Sequence, residues 1–106
     1  MAAAQLREST RHLLEELLIE GQDVDAKVRL LLKSEYMRRM GSYRHIYHVM
    51  ASKYGVQFDE FVARNLLREK GFSQDVESDA MNWETAVSGI RTMERKLTEL
   101  QETDHV

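Results

Sequence analysis

The sequence predicts an all-α protein: a small helical bundle with a long second helix and a coiled-coil-like C-terminal helix. Three observations predict it. None of the 106 residues is proline, so no turn of helix loses its N–H or meets a ring clash. Apolar residues recur at three- and four-residue intervals, the period that keeps side chains on one helical face. Gly21, Gly55 and Gly71 fall where those periodic runs stop, as glycines after helix C-termini do.

The first helix is expected over residues 4–19, where Leu6, Leu13, Leu14, Leu17 and Leu18 form one stripe. Asp23 or Asp25 can cap the second. That helix is expected over 24–54, with Val28, Leu31, Leu32, Tyr36, Met40, Tyr43, Tyr47, Met50 and Tyr54 on broadly one side. At 1.5 Å per residue it would be about 45 Å long. Gly41 offers a place for a bend, because glycine inside a helix costs about 1 kcal/mol relative to alanine. Gly55 is expected in the left-handed conformation.

A third helix is expected over 58–70, turning Phe58, Phe61, Val62, Leu66 and Leu67 inward. FSQDVESDA, residues 72–80, reads as a linker. Ser78 or Asp79 would then cap a last helix ending near Gln101. Trp83, Ala86, Ile90, Met93, Leu97 and Leu100 lie along it at alternating spacings of three and four, a seam of nearly three heptads. Gly21, Gly55 and Gly89 recur every 34 residues, the period of a tetratricopeptide repeat. Their flanks differ and that repeat's aromatic and proline signature is missing, so no repeat is assigned.

Composition narrows the functional classes. With 42% apolar and 31% charged residues the chain reads as globular. One domain is expected over 1–101, with 102–106 a frayed acidic tail. The chain has no cysteine, which excludes disulfides, thiolate nucleophiles and cysteine-based metal sites. Arg7 and Glu8 precede any apolar run and no stretch is long enough to span a bilayer, so a cytoplasmic protein with no membrane partner is expected.

Charge is segregated. The chain carries −3 in all, yet residues 27–53 carry +6, against −4 over 1–26 and −5 over 73–106. Such a pattern suits a basic surface that meets a partner, or basic and acidic helices that meet each other. Lys33, Arg38, Arg39, Tyr43 and Arg44 are the residue types that hold phosphates and stack on bases. Core tyrosines, with arginines paired to acidic helices, are the favoured alternative because net charge is negative.

Residues 50–67 have the rhythm of a helix-turn-helix, with Ala51, Gly55, Val56 and Phe61 at its key positions. Arg64 stands where that motif buries an aliphatic, and Asp59 and Glu60 would face phosphates. His45 and His48 lie three residues apart, but further metal ligands at suitable spacing are missing. Asp75, Glu77, Asp79 and Glu84 are explained by capping and by the dipole at a helix N-terminus. No phosphate loop or nucleophile elbow accompanies them, so no enzyme, cofactor or metal is expected. Trp83 suits either an interface anchor or the lid of a small core.

Two fragments together resemble small bacterial and archaeal antitoxin-like proteins of type II toxin–antitoxin pairs. The first is YGVQFDEF, with Tyr54, Gly55, Phe58, Glu60 and Phe61. The second is an acidic segment leading into Trp-Glu, here Glu77, Asp79, Trp83 and Glu84, followed by a charged heptad helix. The similarity covers roughly residues 43–100. It departs before the tryptophan, where Ala80, Met81 and Asn82 stand in place of aromatics. The resemblance implies a protein that binds and masks a toxin. Tyr54, Phe58, Phe61, Trp83, Glu84, Ile90, Met93, Leu97 and Leu100 are then the candidate partner contacts. A non-catalytic interaction protein, homodimeric, is the leading expectation. A nucleic-acid-binding regulator using residues 27–53 is the alternative, and a structural homo-oligomer the third.

Overall fold

A computed structural model describes residues 5–71 and 73–103. These are helical, with no strand among them, in the order α1 (Glu8–Glu16), α2 (Val24–Tyr54), α3 (Phe58–Ala63), α4 (Leu66–Glu69) and α5 (Gln74–Thr103). The chain divides into two compact units, Met1–Glu35 and Tyr36–Val106.

In the first unit, α1 is shorter than the expected 4–19. Arg7 is extended, with ψ 150°, so the helix starts at Glu8. Its C-terminal turn tightens, with Leu17 N–H and Leu18 N–H donating three residues back to Leu14 O and Glu15 O, both at 3.1 Å. Gln22 Oε1 then accepts the Ile19 N–H at 3.3 Å and closes the turn. Asp23 caps α2 as expected, Oδ1 accepting Ala26 N–H at 2.7 Å.

Helix α2 keeps its expected bounds and runs unbroken through Gly41. A glycine weakens a helix by entropy but leaves its hydrogen bonds possible, so the helix need not break there. It ends at Gly55, whose φ is +69°.

The second unit departs from expectation in two places. The predicted helix 58–70 is two pieces, because Asn65 adopts φ +52°. Asparagine is among the few non-glycine residues that tolerate this conformation. The predicted linker is helical from Gln74. Ser73 rather than Ser78 or Asp79 is the cap: its Oγ accepts Val76 N–H at 3.3 Å and its carbonyl accepts Glu77 N–H at 3.0 Å. Asp75 and Glu77 complement the dipole of that first turn. Phe72 and the last three residues of the expected tail lie outside the described residues. Glu102 and Thr103 still belong to α5.

The core of this unit is aromatic. Phe61, Leu66 and Trp83 are buried, and Tyr47, Met50, Tyr54, Val56, Phe58 and Val87 pack around them. Farther along α5, Ala86 and Met93 are buried, while Ile90, Leu97 and Leu100 are half-buried. Six seam positions read from the spacing therefore share one face of α5, buried at Trp83, Ala86 and Met93 and half-buried at Ile90, Leu97 and Leu100.

Candidate functional site

Trp83 is fully buried. Four rings enclose its indole: Phe61 at 5.2 Å between centroids, Phe58 at 5.4 Å, Tyr47 edge-on at 5.7 Å and Tyr54 stacked at 6.0 Å. Edge and offset contacts of this kind suit the ring quadrupoles. Its Nε1–H has no acceptor among the described residues. Trp83 and Phe61, expected among the partner contacts, are thus held in the core by their own chain. An anchor residue has to be accessible, and these two are not.

Tyr54 and Phe58 are half-buried members of the same cluster. Tyr47 ties the α2–α3 connection to it, its hydroxyl donating to Gln57 Oε1 at 2.8 Å and accepting Phe58 N–H at 3.3 Å. The helix-turn-helix reading does not hold. α3 has only six residues, too few for a recognition helix, and Arg64 is its exposed C-cap.

One carboxylate oxygen joins α2 to α5. Asp79 Oδ2 accepts from Tyr54 Oη at 2.5 Å and from Lys53 Nζ at 2.6 Å. Burial, together with the hydrogen bond to Asp79, pushes the Tyr54 phenol up to about 12. The bonds from Lys53 and Tyr54 hold the Asp79 carboxyl below its ordinary value. Both groups move away from neutrality, the wrong direction for proton transfer near pH 7. The arrangement is a structural clasp. Among the described residues no group of three or more His, Asp or Glu is placed to hold a metal ion. His45 and His48 are exposed.

An open cleft of about 500 Å³ lies on α5, lined by Tyr43, Met81, Glu84, Ser88, Gly89 and Thr92 among others. Glu84 is exposed there. Tyr43 lays its ring over Gly89: a Cβ built on that glycine would stand 2.5 Å from Tyr43 Cε2. One face of Tyr43 is thereby occupied and cannot stack on a base. Lys33, Arg38, Arg39 and Arg44, the other candidate phosphate ligands, are exposed.

A group of exposed apolar side chains lies outside the expected contacts. In the first unit, Leu14 is the one buried side chain among the described residues, at 9% exposure. Leu6, Leu13, Leu17, Ile19, Leu30, Leu31 and Leu32 are exposed, Leu13 to 62% and Ile19 to 69%. The signal was in the sequence, as Leu30–Leu31–Leu32 runs on past the width of one stripe. No helix among the described residues is long and apolar enough to cross a membrane. Compared with protein-family models, curated proteins and solved structures, the chain matches none.

Proposed function

We propose that this chain is a non-catalytic interaction protein of the cytoplasm, antitoxin-like, which binds and masks a partner protein. The observation that carries this reading is the first unit, with one buried leucine and seven exposed large apolar side chains among its described residues. A piece this small cannot hold itself together by so little burial. Exposed apolar surface of this density marks a protein contact. The contact residues are then the leucines of 6–32 and, on α5, Glu84 with the half-buried Ile90, Leu97 and Leu100, rather than Trp83, Phe61 and Met93, which were expected among them and are buried.

A growth assay tests it. The product of the reading frame adjoining this gene is expressed alone and then together with this chain. Growth arrest by the first, relieved by the second and restored by charge substitutions at Leu13 and Leu17, is the expected result. A harmless neighbour, or an arrest this chain does not relieve, overturns the reading. A second reading, a nucleic-acid-binding regulator, is favoured by the +6 charge over 27–53 and the exposure of Lys33, Arg38, Arg39 and Arg44.

A further inference from the structure

The exposed leucines of the first unit do not lie on one stripe. Leu30, Leu31 and Leu32 are consecutive in α2, and each is at least 38% exposed. Successive helical residues point about 100° apart, so these three span about 200° of the helix surface. One antiparallel neighbour covers a narrower sector than that. α1 cannot mask all three, whichever side of α2 it takes. Helices with so wide an apolar sector are those that meet two neighbours, as each helix of a four-helix bundle does.

Charge restricts what the second neighbour is. Around the leucines of α1 and the turn after it stand Glu15, Glu16, Glu20 and Asp23 against Arg11, and residues 1–23 carry −3. Around those of α2 stand Lys27, Arg29 and Lys33, with Arg29 paired to Asp25 Oδ2 of its own helix at 3.0 Å. The apolar face therefore has one acidic and one basic flank. A foreign partner would need a matching pair of flanks. A second copy of this chain has them already, since a two-fold interface sets the acidic helix of each copy along the basic helix of the other.

Resting on the reading that protein covers these leucines, we infer that the first cover is a second copy of this chain. Residues 6–33 of two copies pack as a four-helix bundle, with α1 of one along the N-terminal part of α2 of the other.

Sedimentation equilibrium over roughly 1 to 100 µM is the first test. The expected species has twice the 12.4 kDa chain mass. Leu17→Glu and Leu31→Glu should each weaken association at least roughly a hundredfold, since each buries an unpaired charge at the interface. Met81→Glu, on α5, should leave it unchanged. Trp83 fluorescence reports in each variant that the second unit keeps its fold.

Charge exchange is the second test and uses no core change. Glu15→Lys, Glu16→Lys and Glu20→Lys together make both flanks basic; Lys27→Glu with Lys33→Glu makes both acidic. Each variant alone should associate weakly. Mixed, they should form a heterodimer, because each basic helix then meets an acidic one of the other copy. A wild-type monomer throughout the range, a dimer that survives both leucine changes, or a mixture that recovers nothing would each overturn the inference. The growth assay is read separately, so a monomer that still relieves arrest would reject the second copy and keep the masking function.

Discussion

Tyr43 and Gly89 are a matched pair: the phenol ring of one, on α2, occupies the space a side chain would fill on the other, on α5. Three ring atoms lie within 2.7 Å of the position a Cβ would take. Gly89 sits inside a helix, where glycine is otherwise a poor choice. Its place is explained by the ring it admits.

Gly89→Ala should accordingly reverse the usual sign. In an open helix this change stabilises by about 1 kcal/mol. Here it should destabilise by about 1–2 kcal/mol, as other overpacking changes do. In a Tyr43→Ala background the same change should become stabilising. Urea midpoints of the four proteins check this, and additivity of the two changes would show that the ring and the glycine do not meet.

Trp83→Ala should cost about 3–5 kcal/mol, the range for large buried aromatics. The wild-type indole, enclosed by four rings, should emit at short wavelength and resist quenching by acrylamide. Emission typical of a solvated indole would contradict the burial.

The clasp at Asp79 predicts a pH profile. Tyr54 ionises near 12 rather than 10, so the fold favours its neutral form. That contribution is complete below about pH 10 and is lost as pH rises through about 12. Asp79 is shifted down, so its contribution is present above about pH 4 and lost as pH falls below that. Stability should therefore be broad between these limits. In an ultraviolet titration one tyrosine should ionise near pH 12. Tyr54→Phe should delete that step, and Asp79→Asn should move it toward 10.

Gly55→Val should cost about 1–2 kcal/mol or more, because valine resists positive φ. An unchanged urea midpoint would show that α2 does not turn there.

Replacing Arg38, Arg39 and Arg44 together with glutamine should lower stability only modestly, since exposed ion pairs contribute about 0–1 kcal/mol each. Relief of growth arrest should survive the change. Tight DNA binding by the wild type that falls steeply with salt and vanishes in this variant at unchanged melting temperature would favour the regulator instead.

The sequence by itself determined the helical class, the bounds of α2 and a cap at either Asp23 or Asp25. These are local properties. A helix closes its hydrogen bonds within four residues, and its caps lie within three, so periodicity, an aspartate and a glycine suffice. The six seam positions of α5 were legible for the same reason, since spacing fixes a face. What covers a face is set by residues far along the chain, and only the tertiary structure decided that. It enclosed Trp83 and Phe61 in an aromatic core instead of leaving them to a partner. It also engaged Asp79 with Lys53 and Tyr54, while Ser73 took the cap. Asn65 was legible in principle as a residue that tolerates positive φ, but nothing local required the turn there. Gly89 had no local explanation at all: its reason is a tyrosine forty-six residues earlier, which is a neighbour only once the two helices have packed.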